Sequence, residues 1–251
     1  MSLLNTLGWA PIHAACKGVH APCLSVLLTG THFDANLVTA DAVGTTPAYL
    51  ASSHGHVDCL SVLHSQGADL LLADSDGRAP IHIACRNGHS AVLSYLLANG
   101  AARDVNQLIT HGGYEQEDYG AIPATICSAN GHVKCLALVM DQDGAELDGT
   151  DTAGNTAAHA ACKYDQWRCL LFLINRGAEI NTTNADGCTP LDVARKYNHP
   201  DCVRLLRRYD AVGMIDVDLP AVSEADKVGI MNTAMYPGAY FLFASHARYV
   251  A

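Results

Sequence analysis

Charged and aromatic residues are scarce in this sequence of 251 residues, at 16% and 6% of the chain. The charged share lies well below the roughly 25% of a typical soluble domain. Intrinsic disorder requires low hydrophobicity and high net charge, whereas 49% of these residues are hydrophobic. The composition therefore predicts a folded chain, and the length allows one large domain or two small ones.

Basic residues are also few, because 15 Lys and Arg stand against 25 Asp and Glu, which gives a formal net charge of −10. A general nucleic-acid binder needs a basic face that contacts phosphates. An acidic chain with a pI near 5.6 is a poor candidate for that class. We therefore expect no nucleic-acid partner.

Long hydrophobic runs are missing as well. The longest, CLLFLI at 169–174 and AYFLFA at 239–244, stop at about six residues, whereas a membrane-spanning helix needs about 20. The opening MSLLNTLGWAPIH lacks the basic region and the long apolar core of a secretory signal. These absences predict a cytoplasmic protein without a membrane partner, with the nucleus as the other possible compartment.

One short phrase recurs six times, and its leading glycines are separated by 36, 33, 43, 34 and 33 residues. A near-constant period of this size is the signature of a repeat architecture, in which each unit buries its apolar face only against its neighbours. The six copies are GWAPIHAAC (8–16), GTTPAYLAS (44–52), GRAPIHIAC (77–85), GAIPATICS (120–128), GNTAAHAAC (154–162) and GCTPLDVAR (187–195).

A period near 33 that carries G-x-T-P-L-H-x-A-A-x-x-G-H and a later G-A-D resembles the ankyrin repeat. The resemblance implies an all-α solenoid of stacked helix pairs joined by β-hairpin-like connections. It predicts a repeat array over residues 1–210, with repeats that start near residues 8, 44, 77, 120, 154 and 187. Residues 211–251 do not follow the repeat and are predicted to form a C-terminal extension.

The residues of one repeat also predict its local structure. Proline suits the first turn of a helix, where its missing N–H would have no partner. A small residue recurs four positions after the proline, which predicts a close approach between helices. Glycines that precede a histidine, such as Gly55 and Gly88, are expected to end the first helix because glycine tolerates a positive φ.

Ten cysteines and 13 histidines are the unusual counts. Nine cysteines fall at core-type helix positions, where a free thiol behaves as a small hydrophobe. No C-x-x-C pair of the kind that binds zinc occurs. The regular columns are expected to space the thiols along the solenoid, so no metal site is predicted, and only Cys188 lies in a loop. The nine are Cys16, Cys23, Cys59, Cys85, Cys127, Cys135, Cys162, Cys169 and Cys202.

Eight histidines fall into two columns of the repeat. His13, His82 and His159 match the histidine of the T-P-L-H phrase, which the resemblance implies makes structural hydrogen bonds between repeats. Neither of the glycine-rich phosphate-binding motifs, G-x-x-x-x-G-K-[ST] and G-x-G-x-x-G, is present, so no cofactor is predicted. The second column is predicted at the turn between the two helices of a repeat and contains His20, His56, His89, His132 and His199.

Arrays of this kind bind partners on an extended concave surface. The resemblance places exposed contact residues two positions before the proline and six and seven positions after it. Four of the six residues in the middle column are basic, and aromatic residues of the kind enriched at interfaces lie near them. The predicted partner-binding residues are Trp9, Lys17, Arg78, Arg86, Asn87, Lys163, Tyr164, Lys196 and Tyr197.

These residues favour a groove that accepts an acidic or polar segment of a partner protein, the alternative being that Lys and Arg merely solvate a helix face. An insertion of ten residues within 103–120 is a tolerated loop or part of the binding face. Asn181, which ends GAEIN, resembles the hairpin asparagine that an oxygen-dependent hydroxylase modifies in some ankyrin repeats. Its alternative is a structural hairpin asparagine.

We therefore predict a non-enzymatic protein–protein interaction module that binds through its concave face and hairpin tips, with no small-molecule substrate. A first alternative is a substrate-recruiting adaptor of a larger enzyme complex, such as a ubiquitin ligase. A second alternative is an enzyme that uses Cys188 or the C-terminal extension, because a catalytic triad assembles in space and leaves no fixed pattern in the sequence.

Overall fold

A computed structural model of the chain describes residue 5 and residues 8–30, 33–41, 43–109 and 120–210. Within these ranges the chain forms six helix pairs and one short 3₁₀ turn, Ala101–Asp104. The helices are α1 Pro11–Lys17, α2 Ala21–Gly30, α3 Pro47–Ser53, α4 Val57–Ser65, α5 Pro80–Asn87, α6 Ser90–Ala98, α7 Pro123–Ala129, α8 Val133–Met140, α9 Ala157–Lys163, α10 Trp167–Asn175, α11 Pro190–Lys196 and α12 Pro200–Asp210.

The first helix of each pair starts as predicted, with proline in its first turn in five of the six repeats. Thr46 and Thr189 cap their helices by accepting a hydrogen bond from the amide three residues later. Ala79 has no such side chain. His82 compensates by accepting the Ala79 amide on its Nδ1 at 3.1 Å. These local contacts explain why short helices of about two turns form at every copy of the phrase.

The helix pairs stack in two layers, in which α1, α3, α5, α7, α9 and α11 pack in sequence and α2, α4, α6, α8 and α10 pack beside them. The predicted all-α solenoid is therefore confirmed. The connections between repeats reverse the chain through turns, and in the described residues the only β-bridge joins Thr150 and Thr156. The small residues predicted at the helix contact are all buried: Ala15, Ala51, Ala84, Cys127, Ala161 and Ala194.

Eight cysteines are buried as predicted, but Cys23 is exposed, so its assignment to the core was wrong. Cysteines in this column pack on the preceding repeat: the Cys202 sulfur lies 3.9 Å from the Ala161 carbonyl oxygen. The described residues contain no helix pair ahead of α1 that would cover Cys23 in the same way. The neighbouring Cys202 thiol, together with burial, raises the pKa of the Cys162 thiol, so these two side chains lie close together across repeats.

The position after the first helix adopts a left-handed conformation in every repeat, with φ of 79°, 73° and 75° at Gly55, Gly88 and Gly131. The predicted helix-ending glycines are thereby confirmed. Repeat one differs, because Gly18 stands one place early with φ of −95° and Val19 adopts the left-handed φ of 61° instead.

The insertion between repeats three and four starts from a connection that is closed by backbone hydrogen bonds. The Ile109 amide donates to the Ala121 carbonyl, and the Gly120 amide donates to the Ile109 carbonyl, at 3.1 and 3.0 Å. Residues 110–119 between them lie outside the described part. The compact unit that holds the repeats ends at Tyr209, and the predicted extension at 211–251 also lies outside the described residues.

Candidate protein-binding groove

We call the first helix of each repeat the inner helix and the second the outer helix. A groove runs along the C-terminal ends of the inner helices of repeats three to six, α5, α7, α9 and α11, and the hairpin tips line its other side. Its floor contains small side chains, Ala129 and Ala160, above the buried Ile126 and Val193. We call the side formed by Arg86, Lys163 and Lys196 the basic edge. Two tyrosines also line the groove, Tyr164 and Tyr197.

Each lysine of the basic edge lies over an aromatic ring of the groove. The Lys163 Nζ is 5.0 Å from the centre of the Tyr164 ring, and the Lys196 Nζ is 5.9 Å from that of Tyr197. Both tyrosines are partly exposed, at 36% and 44% of their surface. Because a cation over a ring face is attracted by the ring's quadrupole, these contacts stabilise the ammonium groups beside the two rings.

The basic edge is positioned by the turn histidines, which sequence reasoning placed at the turn without finding their partners. The His132 Nε2 lies 2.9 Å from the Arg86 carbonyl oxygen, and the His199 Nε2 lies 3.1 Å from that of Lys163. Each histidine thus bonds the end of the inner helix in the preceding repeat. His89 makes the equivalent bond to the Ser53 carbonyl oxygen at 3.0 Å.

The hairpin tips form the opposite side, which we call the polar edge and define by Asp151, Asn155 and Asn184. One carboxylate oxygen of Asp151 accepts the amides of Ala153 and Asn155, which is an Asx turn. The Asn184 side-chain amide donates to the Asn155 side-chain oxygen at 2.7 Å and so joins neighbouring tips. The polar edge is therefore a hydrogen-bonded ladder of side chains.

The T-P-L-H histidine of repeat five lies beneath this edge. Its Nδ1 accepts the Thr156 amide at 3.1 Å, and its Nε2 donates to the Cys188 carbonyl at 3.0 Å. His13 and His82 make the same pair of bonds, to Leu37 and Gln107. Burial lowers the pKa of all three rings, His13, His82 and His159.

Four of the nine predicted binding residues do not line the groove. Trp9 and Lys17 lie in repeat one, where the Lys17 Nζ is 5.1 Å from the indole ring. Arg78 is ion-paired with Asp74 and with a second aspartate at the same tip, so its charge is used within the fold. Asn87 donates its side-chain amide to the Ser53 carbonyl at 2.8 Å and joins two repeats.

Asn181 is exposed in the turn that follows α10. Related side chains in other repeats bridge to the next repeat, since Asn36 accepts the Asp69 amide at 2.7 Å and Asn106 accepts the Glu146 amide at 3.1 Å. A structural role for a hairpin asparagine is therefore present in this fold. The modification of Asn181 stays a prediction.

Cys188, the loop thiol, lines the groove and is half-buried. Its Sγ lies 3.9 Å from the Asp186 carbonyl oxygen, and the imidazole of His159 bonds the Cys188 carbonyl rather than the thiol. Because both nitrogens of His159 are engaged by Thr156 and by this carbonyl, the ring is not arranged as a general base for the sulfur.

We expect a thiol-labelling experiment on the native protein to modify Cys23 first, because it is the exposed thiol, and Cys188 second. The eight buried thiols should react only on unfolding, because burial shields them from the reagent. Burial also raises the pKa of Cys16, and it raises that of Cys169 to about 12. Iodoacetamide labelling followed by peptide mapping measures the order. Labelling of Cys188 well ahead of Cys23 would instead indicate an activated thiol and favour the enzyme hypothesis.

Within the described ranges, no group of three or more His, Cys, Asp or Glu side chains is arranged to hold a metal ion. No helix in the same ranges is both long and apolar enough to cross a membrane. The side chains that line the groove include hydrogen-bonding and charged groups and the two tyrosine rings.

Stacked helix pairs with a concave groove define a solenoid repeat protein. The family described as "Ankyrin repeats (3 copies)" matches residues 98–184 and 125–219, and "Ankyrin repeats (many copies)" matches residues 48–97. The chain belongs to the ankyrin repeat family, whose members are generally protein-interaction modules and are typically non-catalytic. No curated protein matches the chain.

Proposed function

We propose that this chain is a non-enzymatic protein-binding module that holds an acidic or polar segment of a partner protein in the groove of repeats three to six. The observation that carries the proposal is the basic edge, where Arg86, Lys163 and Lys196 line one side of a single groove. On a chain with a net charge of −10, this concentration of positive charge attracts acidic segments, whereas the rest of the acidic surface repels them.

The lysine–tyrosine pairs favour binding over simple solvation of the helix face. A lysine that only solvates a helix face lays its stem along apolar surface and keeps its ammonium group in water. Here Lys163 and Lys196 each lie over a partly exposed tyrosine in the groove. Tyrosine is among the residues that contribute most to interface energies, so the two pairs are suitable anchors for a partner.

The test uses the double charge reversal Arg86→Glu with Lys163→Glu. The partner is first captured by a photo-crosslinking residue at position 197, with position 26 on the exposed side of α2 as the control site. We expect the double variant to bind the purified partner about tenfold more weakly by calorimetry, because two attractive pairs become repulsive.

The matched control is Lys134→Glu with Arg207→Glu, which makes the same change in net charge at exposed positions of outer helices. Its affinity should stay within about twofold of the parent. Equal affinity of the parent and the Arg86/Lys163 variant for the captured partner would rule out the groove as its binding site.

The adaptor alternative predicts a different experimental result. A substrate-recruiting adaptor binds a second protein outside the groove, so the variant that loses the groove partner should still copurify with an enzyme subunit. The extension at 211–251 is the candidate second contact, and its deletion tests this. Deletion of 109–118 tests separately whether the insertion within 103–120 is part of the binding face. Hydroxylation of Asn181 is tested by the mass of the tryptic peptide, which gains one oxygen atom if the residue is modified.

A further inference from the structure

We infer that the groove takes its partner segment as a polyproline II helix with acidic side chains at every third residue. This inference rests on the proposed function and adds the conformation and the spacing of the bound segment. Its basis is the geometry of the basic edge and the backbone hydrogen bonds that join the tips of the polar edge.

The first step is the spacing of the charges. Lys163 and Lys196 occupy the same position in adjacent repeats, at the ends of α9 and α11, which pack against each other. Packed helices lie about 8–10 Å apart, so the two chain positions that carry these lysines recur at about this interval. Arg86 lies two repeats before Lys163, and Ala129 occupies the intervening place.

The second step compares this interval with the possible conformations of a bound segment. A polyproline II helix has three residues per turn and rises 3.1 Å per residue, so side chains on one face recur at about 9.3 Å. In a β-strand, side chains on one face recur at about 6.8 Å or about 13.6 Å. Polyproline II therefore matches the interval of the basic edge, and a strand does not.

The third step concerns the backbone of the tips. A strand would need unpaired amides and carbonyls along the polar edge. At the tips, backbone groups of this kind are already paired with each other: the Asp151 amide donates to the Asn155 carbonyl, and the Asn184 amide donates to the Cys188 carbonyl. Between tips, the Ala185 amide donates to the Ala153 carbonyl. A polyproline II segment needs no backbone ladder and remains compatible with this edge.

The fourth step concerns an α-helical segment, whose side chains seven residues apart recur at about 10.5 Å. Helix-in-groove recognition requires an apolar groove that accepts large side chains. Here the aliphatic side chains that line the groove, Ile126 and Val193, are buried, and alanines such as Ala129 and Ala160 lie beside them. The exposed rings of Tyr164 and Tyr197 instead provide the aromatic lining that polyproline II segments use.

Three fluorescent peptides of equal charge test the inference on the full chain by anisotropy at low salt. The first is a proline peptide with glutamate at every third residue, the second has the same residues with glutamate at every second position, and the third is an alanine-rich helix with glutamates seven residues apart. We expect the first to bind about tenfold more tightly than the other two. We also expect Lys163→Glu with Lys196→Glu to abolish this preference, whereas Lys134→Glu with Arg207→Glu leaves it unchanged.

The outcomes separate this inference from the proposed function. Equal binding of all three peptides, lost in the Lys163/Lys196 variant, would overturn the polyproline II conformation and leave the acidic groove intact. Tighter binding of the helical peptide would overturn it as well. The inference would be overturned if neither charge-reversed variant changed the affinity, or if no peptide bound. The proposed function would be refuted if the captured partner also bound the Arg86/Lys163 variant as tightly as the parent.

Discussion

The substitution Gly88→Ala is expected to lower the free energy of unfolding by about 3 kcal/mol. Gly88 has a φ of 73°, and a left-handed backbone costs an L-residue roughly 1–2 kcal/mol. A Cβ at this position would also lie 2.6 Å from the ring of His132. The ring would have to move and lose its bond to the Arg86 carbonyl, which is worth about 0.5–1.5 kcal/mol.

Gly67→Ala is the matched control, since Gly67 has a φ of 83° but no neighbouring atom lies within 4 Å of the place that an alanine methyl group would take. It should cost only the backbone strain of roughly 1–2 kcal/mol. Gly88→Asp should cost less than Gly88→Ala, because Asp165 occupies the same place in repeat five with a φ of 56° and faces His199. Urea unfolding measures all three, and equal losses at Gly67 and Gly88 would show that the histidine contact contributes nothing.

The sequence predicts the fold well because the signals are local and repeated. Proline at the helix start, a small residue four positions later and glycine at the helix end act within a single repeat, and six copies fix their register. Val19 shows the limit of reading residue types alone. The backbone geometry keeps the left-handed position eight residues after the proline, so Val19 adopts it even though Gly18 stands beside it.

Contacts between repeats were harder to predict. The partner of His132 is a carbonyl 46 residues earlier in the chain, at Arg86, and it depends on how neighbouring repeats stack. A backbone acceptor leaves no trace in residue types. The burial prediction for Cys23 was wrong for the same reason. Cysteines in its column are buried by the preceding repeat, and the described residues contain no repeat before repeat one.

The candidate site was predictable in part. The column rule selected Lys163 and Lys196, and their tyrosine neighbours follow directly in the sequence. Arg78 satisfied the same rule, yet Asp74 and Asp76 neutralise it. A local signal for this was present, because an aspartate four residues before the arginine forms the Asx turn that brings the two side chains together. Reading the tip as a turn would have removed Arg78 from the predicted set.

The largest expected effect of solution conditions is a loss of stability as the pH falls from about 7 towards 5. Burial lowers the pKa of His13, His82 and His159 below the ordinary value near 6.5. Protonation would also place an N–H on the Nδ1 that accepts a backbone amide, as at Ala79 in repeat three. The folded state therefore binds fewer protons than the unfolded state below about pH 6.5.

The direction of the pH dependence follows from the linkage between proton binding and folding. The free energy of unfolding rises with pH wherever the unfolded state binds more protons, so this stability is complete above about pH 6.5 and is lost as the pH falls towards the lowered pKa values. Each histidine contributes a slope of at most about 1.4 kcal/mol per pH unit, and three give about 4. Urea unfolding from pH 8 to pH 5 measures the slope.

The variant His82→Thr isolates one of these protons. Thr125 holds the same position in repeat four, where its hydroxyl oxygen accepts the Ile122 amide at 3.0 Å, so threonine is a cap that this fold already uses. The variant loses the bond to the Gln107 carbonyl and should be less stable at pH 8. The slope of its free energy of unfolding against pH should be smaller by up to about 1.4 kcal/mol per pH unit, which corresponds to one proton. The stability curves of the parent and the variant should therefore converge as the pH falls. Because Asp74, whose pKa burial raises, is present in both proteins, parallel curves would show that His82 is not the group that titrates.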